Sequence, residues 1–214
     1  MKIIEIAFIP FTMILIAMTS TAAANTPISI GLKASTLGLG IEAGFRLSDT
    51  MSLRAQYNHY DFTETATDAD ITYNYKLGLD NWGILADWHP SGGAFRVTAG
   101  LYSNNNAFTG TANGTFTVGN AASQQIGLQS TIDFASTAPY LGIGWGHAAA
   151  NNSGLSFNAD IGVLMQDAPQ VSLVQTSGTA ISQADLTREA QQLENDISEF
   201  DAYPVLSFGM AYTY

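Results

Sequence analysis

The chain has 214 residues, no cysteine and a formal net charge of −11. One sizeable domain fits that length, the missing thiols exclude a disulfide framework and thiolate metal sites, and the acidic balance argues against a nucleic-acid partner. Only 12% of residues are charged, while glycine alone contributes 20, which is too little surface charge for an ordinary water-soluble enzyme.

Residues 1–24 follow the grammar of a secretory signal peptide: Lys2, an apolar stretch from Ile6 to Met18, then Ala22-Ala23-Ala24, with cleavage expected before Asn25. The apolar run falls short of the ~20 residues a spanning helix needs. Nothing comparable follows it, so entry into a membrane has to be made by strands, and only a closed barrel satisfies every backbone group in lipid. Residues 25–214 are read as that barrel domain.

Eight alternating segments follow. The first is Ile28 to Ala34. In the second, Leu37 to Leu47, apolar Leu39, Ile41, Ala43 and Phe45 alternate with Gly40, Glu42, Gly44 and Arg46. Ser48-Asp49-Thr50 is a tight turn into the third, Met51 to Tyr60, and Thr63 to Asp68 reads as a loop. The fourth, Asp70 to Trp88, changes phase near Asp80-Asn81, which predicts a β-bulge. After the turn His89 to Gly93 comes the fifth, Phe95 to Asn104. The connection to Thr137 is long, and its pieces Thr115–Val118 and Leu128–Phe134 read as strand extensions. The sixth is Pro139 to Gly146. The seventh is Leu155 to Met165, with an apolar resumption at Val171–Val174. One segment has helical spacing: from Ser182 to Phe200, Leu186, Ala190, Leu193 and Ile197 share a face, and Ser182 with Asp185 is a capping-box variant.

The eighth segment ends the sequence. Leu206, Phe208, Met210, Tyr212 and Tyr214 alternate with small residues. A strand that stops on its terminal aromatic resembles the closing strand of bacterial outer-membrane barrels, and those five residues are read as the signal for the barrel assembly machinery.

These segments predict an all-β fold, an eight-stranded antiparallel up-and-down transmembrane β-barrel with one amphipathic helix in its last long loop. If the last strand runs inward, the short turns at 48–50, 89–93 and 147–154 fall in the periplasm. The long connections at 61–70, 104–137 and 167–202 fall outside, as outer-membrane barrels require. Trp82, Trp88, Trp145, Tyr57, Tyr73, Tyr75, Tyr212 and Tyr214 read as interfacial girdles.

Charge placement supports the barrel. By alternation Lys33, Arg46, Arg54, Lys76 and Arg96 all lie on the lean, lumen-facing side, together with Glu42, Asp80, Asp87 and Asp160. A soluble β-sandwich would invert that assignment. Two roles stay open for the charge network: a salt-bridged filling that braces the lumen, or a selectivity site on a narrow path. The outer connections are acidic, which suits a solvated surface near lipopolysaccharide or a mouth that concentrates cations. His59 with Asp61 is the one weak hint of acid–base chemistry. No metal-ligand spacing and no cofactor motif is visible, and no enzyme activity is expected.

Several stretches resemble one family: Asp87-Trp88-His89-Pro90 with Gly92 to Arg96, Ala138-Pro139-Tyr140-Leu141-Gly142-Ile143-Gly144-Trp145, Pro169 to Leu173, the helix with Arg188-Glu189, and Tyr203-Pro204-Val205. Together they are similar to the small proteobacterial outer-membrane barrels related to CarO, a family linked to ornithine uptake and carbapenem susceptibility. The resemblance implies the fold and the cell outer membrane. No substrate residue of that family matches a position here, so it carries no substrate. The functional expectation is a narrow passive channel or binding site for small, cationic solutes, and the alternative is a closed structural or adhesive barrel whose outer loops contact lipopolysaccharide or a protein.

Overall fold

The computed structural model describes residues 27–68, 71–116, 124–147 and 153–214. The signal peptide expected over 1–24 and the tips of three connections lie outside them. Among the described residues are eleven strands and one helix: β1 Ile28–Ser35, β2 Gly38–Arg46, β3 Met51–Asp68, β4 Ile71–Trp88, β5 Phe95–Asn104, β6 Ala107–Phe116, β7 Gln124–Asp133, β8 Thr137–Trp145, β9 Gly154–Met165, β10 Gln170–Gly178, α1 Gln183–Asp196 and β11 Ala202–Thr213.

Eight of them form a ring in the order β1-β2-β3-β4-β5-β8-β9-β11, closed by β11 against β1 from Ser29↔Thr213 to Ser35↔Ser207. Every pair in the ring is antiparallel. Closure leaves no strand edge within the ring, which is the condition for crossing a bilayer with strands. The outward residues are those of the greasy phase, and Phe208 at 69% and Leu32 at 63% exposure are typical of them. In water such a surface would be untenable, and in hydrocarbon it is the natural solvent-facing side. The assembly-signal residues Leu206, Phe208, Met210, Tyr212 and Tyr214 all lie on this outer face.

The remaining strands continue the ring's own strands. β4 pairs β5 from Trp88↔Val97 to Asn81↔Asn104, then β6 from Gly78↔Ala107 to Thr72↔Asn113, without a change of register. β5 and β6 are therefore one strand interrupted at Asn105-Asn106. The same holds for β7 and β8, since β6–β7 reaches Ala107↔Asp133 and β5–β8 resumes at Ser103↔Thr137. β9 and β10 are interrupted at 166–169, where Asp167 takes a positive φ of 57°. Five ribbons thus rise beyond the ring as an extension sheet, ordered β3-β4-β6-β7-β10. α1 packs on it through Leu186, which forms a buried cluster with Ile126, against which Leu128, Leu173 and Ile181 pack. The Ser182 hydroxyl caps α1 by accepting from the Asp185 amide at 3.1 Å and donates to the Asp185 carboxylate at 2.6 Å.

Three expectations change. Thr63–Asp68 is strand, not loop, because every residue from Tyr60 to Asp68 pairs with β4. The expected bulge near Asp80-Asn81 is absent: β3 and β4 hold one register from Met51↔Trp88 to Asp68↔Ile71. The phase change marks where β4 leaves the ring. Above that point the apolar residues Tyr73, Tyr75, Leu77 and Leu79 stay on the face continuous with the lumen, since the sheet no longer has lipid outside it. Tyr73 and Tyr75 are accordingly extension residues stacked at 6.0 Å rather than members of a girdle.

Candidate functional site: the filled lumen

Alternation and ring closure aim side chains from opposite walls at one another. Arg54 on β3 is the hub. Its guanidinium donates to Asp87 through Nε at 2.7 Å and Nη2 at 2.9 Å, to Glu42 at 3.1 Å, and to Asp160 at 3.1 and 3.2 Å. Arg96 donates to Asp160 at 2.7 Å through Nη2 and lies 3.7 Å from Asp87. It also donates to the Gly146 carbonyl. Lys33 sits 3.6 Å from Glu42 and donates to Gln56, whose amide donates to the Tyr102 hydroxyl. Thr98 donates to Asp87 at 2.6 Å and Ser207 to Asp160 at 3.2 Å. Three cations and three carboxylates from β1, β2, β3, β4, β5 and β9 form one neutral layer. Asp87 and Arg96 are wholly buried and Arg54 is 1% exposed.

Above this layer, toward the extension, the lumen turns apolar. Leu37, Leu85, Tyr102, Ala138, Tyr140, Leu164 and Val205 form one buried cluster. Tyr102 and Tyr140 meet edge to face with centroids 5.7 Å apart. Leu37 reaches in from the β1–β2 turn, and its carbonyl accepts from Asn81 at 3.2 Å. Asn81 also donates to Asn106 and accepts from Asn58, which adds a polar collar.

Glycines make this filling possible. A Cβ on either Gly142 or Gly162 would collide with the Tyr140 hydroxyl, so these two residues from β8 and β9 form the slot in which the ring lies. Overpacking a full core costs about 1–3 kcal/mol. Gly162→Ala is expected to lower barrel stability by that amount, read as a lower urea midpoint in lipid. Phe208→Leu on the outer wall is expected to leave the midpoint nearly unchanged.

Of the residues expected in the lumen from sequence, the structure brings together Lys33, Glu42, Arg54, Asp87, Arg96 and Asp160. Arg46 is buried at the turn end, near the Asp49 side chain at 3.5 Å. Lys76 and Asp80 are corrections. With no bulge, both lie on the opposite face of β4 from Asn81, Leu85 and Asp87: Lys76 is exposed on the extension, and Asp80 lies opposite His59 on the outer wall. Gln56, Thr98, Tyr102, Tyr140 and Ser207 were missed. The available signal was a bulky Tyr in the lean phase beside glycines of its own and the neighbouring strand.

His59 and Asp61 touch at 3.5 Å on the outer wall, both half-exposed. At the turn end His89 and His147 stack with centroids 5.1 Å apart. His89 is near Ser52 Oγ at 3.2 Å and the Gly93 carbonyl at 3.0 Å. Burial, reinforced by His147, pushes its pKa below the ordinary 6.5. A histidine held neutral in the fold binds its proton more readily unfolded, so stability falls as pH drops below 6.5 toward the folded pKa. His89→Gln is expected to flatten that part of the pH–stability curve just below pH 6.5, measured by urea unfolding at fixed ionic strength.

No family model matches the sequence, and no curated protein does. Solved structures do. The crystal structure of Acinetobacter baumannii CarO2 superposes with a TM-score of 0.61 at 17% identity, over 88% of this chain and 99% of that one. Acinetobacter baumannii CarO gives a TM-score of 0.59 at 20% identity, over 90% of this chain and all of that one. At such identity the likeness is one of fold. The resemblance read from the sequence holds at that level: the chain shares the β-barrel fold of these two structures.

Proposed function

We propose that the protein is an outer-membrane barrel whose lumen is closed by its own side chains and whose work is done by the extension sheet on the outer side. The neutral layer around Arg54 carries this reading. Its charges are mutually paired across the ring, and the Tyr102–Tyr140 cluster lies directly above, so a hydrated ion would have to displace both layers. The orientation follows from the turns: β2–β3, β4–β5 and β8–β9 are joined by short segments at one end, and the extension stands at the other. Acidic residues on α1 and the extension then face lipopolysaccharide and its bound cations. The terminal strand's outer face is the surface offered to the assembly machinery.

A path for small cationic solutes, the other expectation, needs the neutral layer to open. Single-channel recording separates the two readings. Purified, refolded protein in planar bilayers is expected to give no resolved conductance up to 150 mV, and proteoliposomes no faster lysine or ornithine uptake than empty vesicles. A steady cation-selective conductance would refute the closed reading.

A further inference from the structure

The extension sheet has two edges, and among the described residues only one of them is covered. At β10 the chain covers its own edge: the Val171 amide donates to the Glu194 carboxylate of α1 at 2.8 Å, and Gln175 ties down the exit through Ile181 at 2.9 Å and the Thr179 carbonyl at 2.7 Å. At β3 the last pairing with β2 is Leu39↔His59. From Tyr60 onward β3 pairs with β4 on one side, and no described segment pairs with it on the other. Tyr60–Asp68 contains no proline, no lysine and no bulge, and its only charged protections are the acidic Asp61, Glu64 and Asp68, which repel a like-charged edge but admit a basic one. Its alternating threonines, Thr63, Thr65 and Thr67, are good strand formers, and Tyr60 and Phe62 stand 44% and 45% exposed.

We propose that the free edge of β3 over Tyr60–Thr67 is a strand-addition site for an extended, basic polypeptide segment. An added strand would run antiparallel to β3, toward the membrane. A second copy in the same membrane presents its β3 running in the same direction as this one, so it cannot supply that strand. The side chains define what fits. Asp61 and Glu64 lie on opposite faces of β3, with Phe62 between them on the Glu64 face. Cross-strand complementarity then asks for a basic residue opposite Glu64, an apolar one opposite Phe62 and a basic one opposite Asp61. In the partner's own direction this reads basic, any, apolar, basic. The excess of acidic over basic residues, 18 against 7, favours the same partner charge at longer range.

The proposal takes the extension as the working part, as in the closed-barrel reading, yet the two fail separately: conductance tests the lumen and the following experiment tests the edge. The full protein in lipid nanodiscs is titrated with a capped hexapeptide carrying lysine at positions two and five, valine at four and threonine elsewhere. Amide hydrogen exchange is expected to slow in 60–67 and nowhere in the ring. Of two peptides N-methylated at alternate residues, the one whose methyls face β3 is expected to lose binding and the other to keep it. Asp61→Asn with Glu64→Gln is expected to weaken binding about fivefold at low salt, with less effect at high salt. Absence of protection at millimolar peptide would overturn the proposal. So would equal binding by both methylated forms, or protection that appears without peptide and grows with protein concentration, which would mean self-association.

Discussion

Arg54→Ala is expected to destabilise the folded barrel by about 3–5 kcal/mol, the cost of removing one partner from a buried ion network. Among the described residues Arg54 is the only side chain that touches all three carboxylates of the neutral layer, Glu42, Asp87 and Asp160. Without it Arg96 still faces Asp160 and Lys33 still faces Glu42, but Asp87 loses both prongs of its guanidinium clamp. The interior is left with one excess negative charge at a wholly buried carboxylate. Arg54→Lys restores the charge but not the fork and is expected to recover only part of the loss. Asp87→Asn combined with Arg54→Ala is expected to cost less than the two single losses added together, because the orphaned charge is gone. Urea midpoints in lipid vesicles, with heat-modifiable gel mobility as the check on folding, measure all four proteins. A loss under 1 kcal/mol for Arg54→Ala would mean that water or ions already screen the layer, and the closed-lumen reading would fall with it.

Much of the ring was legible because period two survives in every strand of it. Leu206 to Tyr214 fixed the outer face of β11, and counting turns backward assigned the ends of the others. Alternation alone puts Arg54 and Arg96 inside, and the cost of such a residue on the lipid face is what made their shared phase evidence for a barrel. What alternation could not show was which residues meet across the ring. The partnership of Arg54 with Asp160, far apart in sequence, depends on closure of β11 onto β1 and on the order β5-β8-β9. Lys76 and Asp80 went astray for a physical reason. A greasy face means lipid only while the strand is in the membrane, and above Asn81 the greasy residues of β4 face the α1 side of the extension instead. The phase of Tyr73 to Leu79 is continuous with the lumen, and its hydrophobicity is not. Likewise the polar Thr63–Asp68 becomes strand through pairing with Ile71 to Lys76, which no local pattern in β3 announces.

This division makes the lumen and the extension chemically distinct parts of one set of ribbons. The same β4 contributes Asp87 to a neutral buried layer, Leu85 to an apolar layer, Asn81 to a collar, and Tyr75 to an aromatic face that stacks on Phe108 at 5.9 Å. Rigid closure below holds the extension strands in register above, since β5–β6 and β7–β8 keep their pairings across the interruptions. A barrel built this way positions an outer sheet without needing a pore.

Leu32→Arg is expected to cost about 2–4 kcal/mol in a bilayer, the penalty for arginine on a barrel's lipid face near the midplane. Leu32 lies mid-strand on β1 between Ile41 and Met210, all three pointing outward. One residue further, Lys33 faces the lumen and is held by Glu42. Leu47→Arg makes the same chemical change just beyond β2, at the turn end, with Leu47 equally exposed at 60%. Depth alone separates them, so Leu47→Arg is expected to cost about 0–1 kcal/mol. Urea unfolding in vesicles reads both. A soluble sandwich would give two exposed surface substitutions, each within about 0.5 kcal/mol of zero and indistinguishable from one another. The difference between the two variants, rather than either value, therefore tests whether hydrocarbon surrounds this ring.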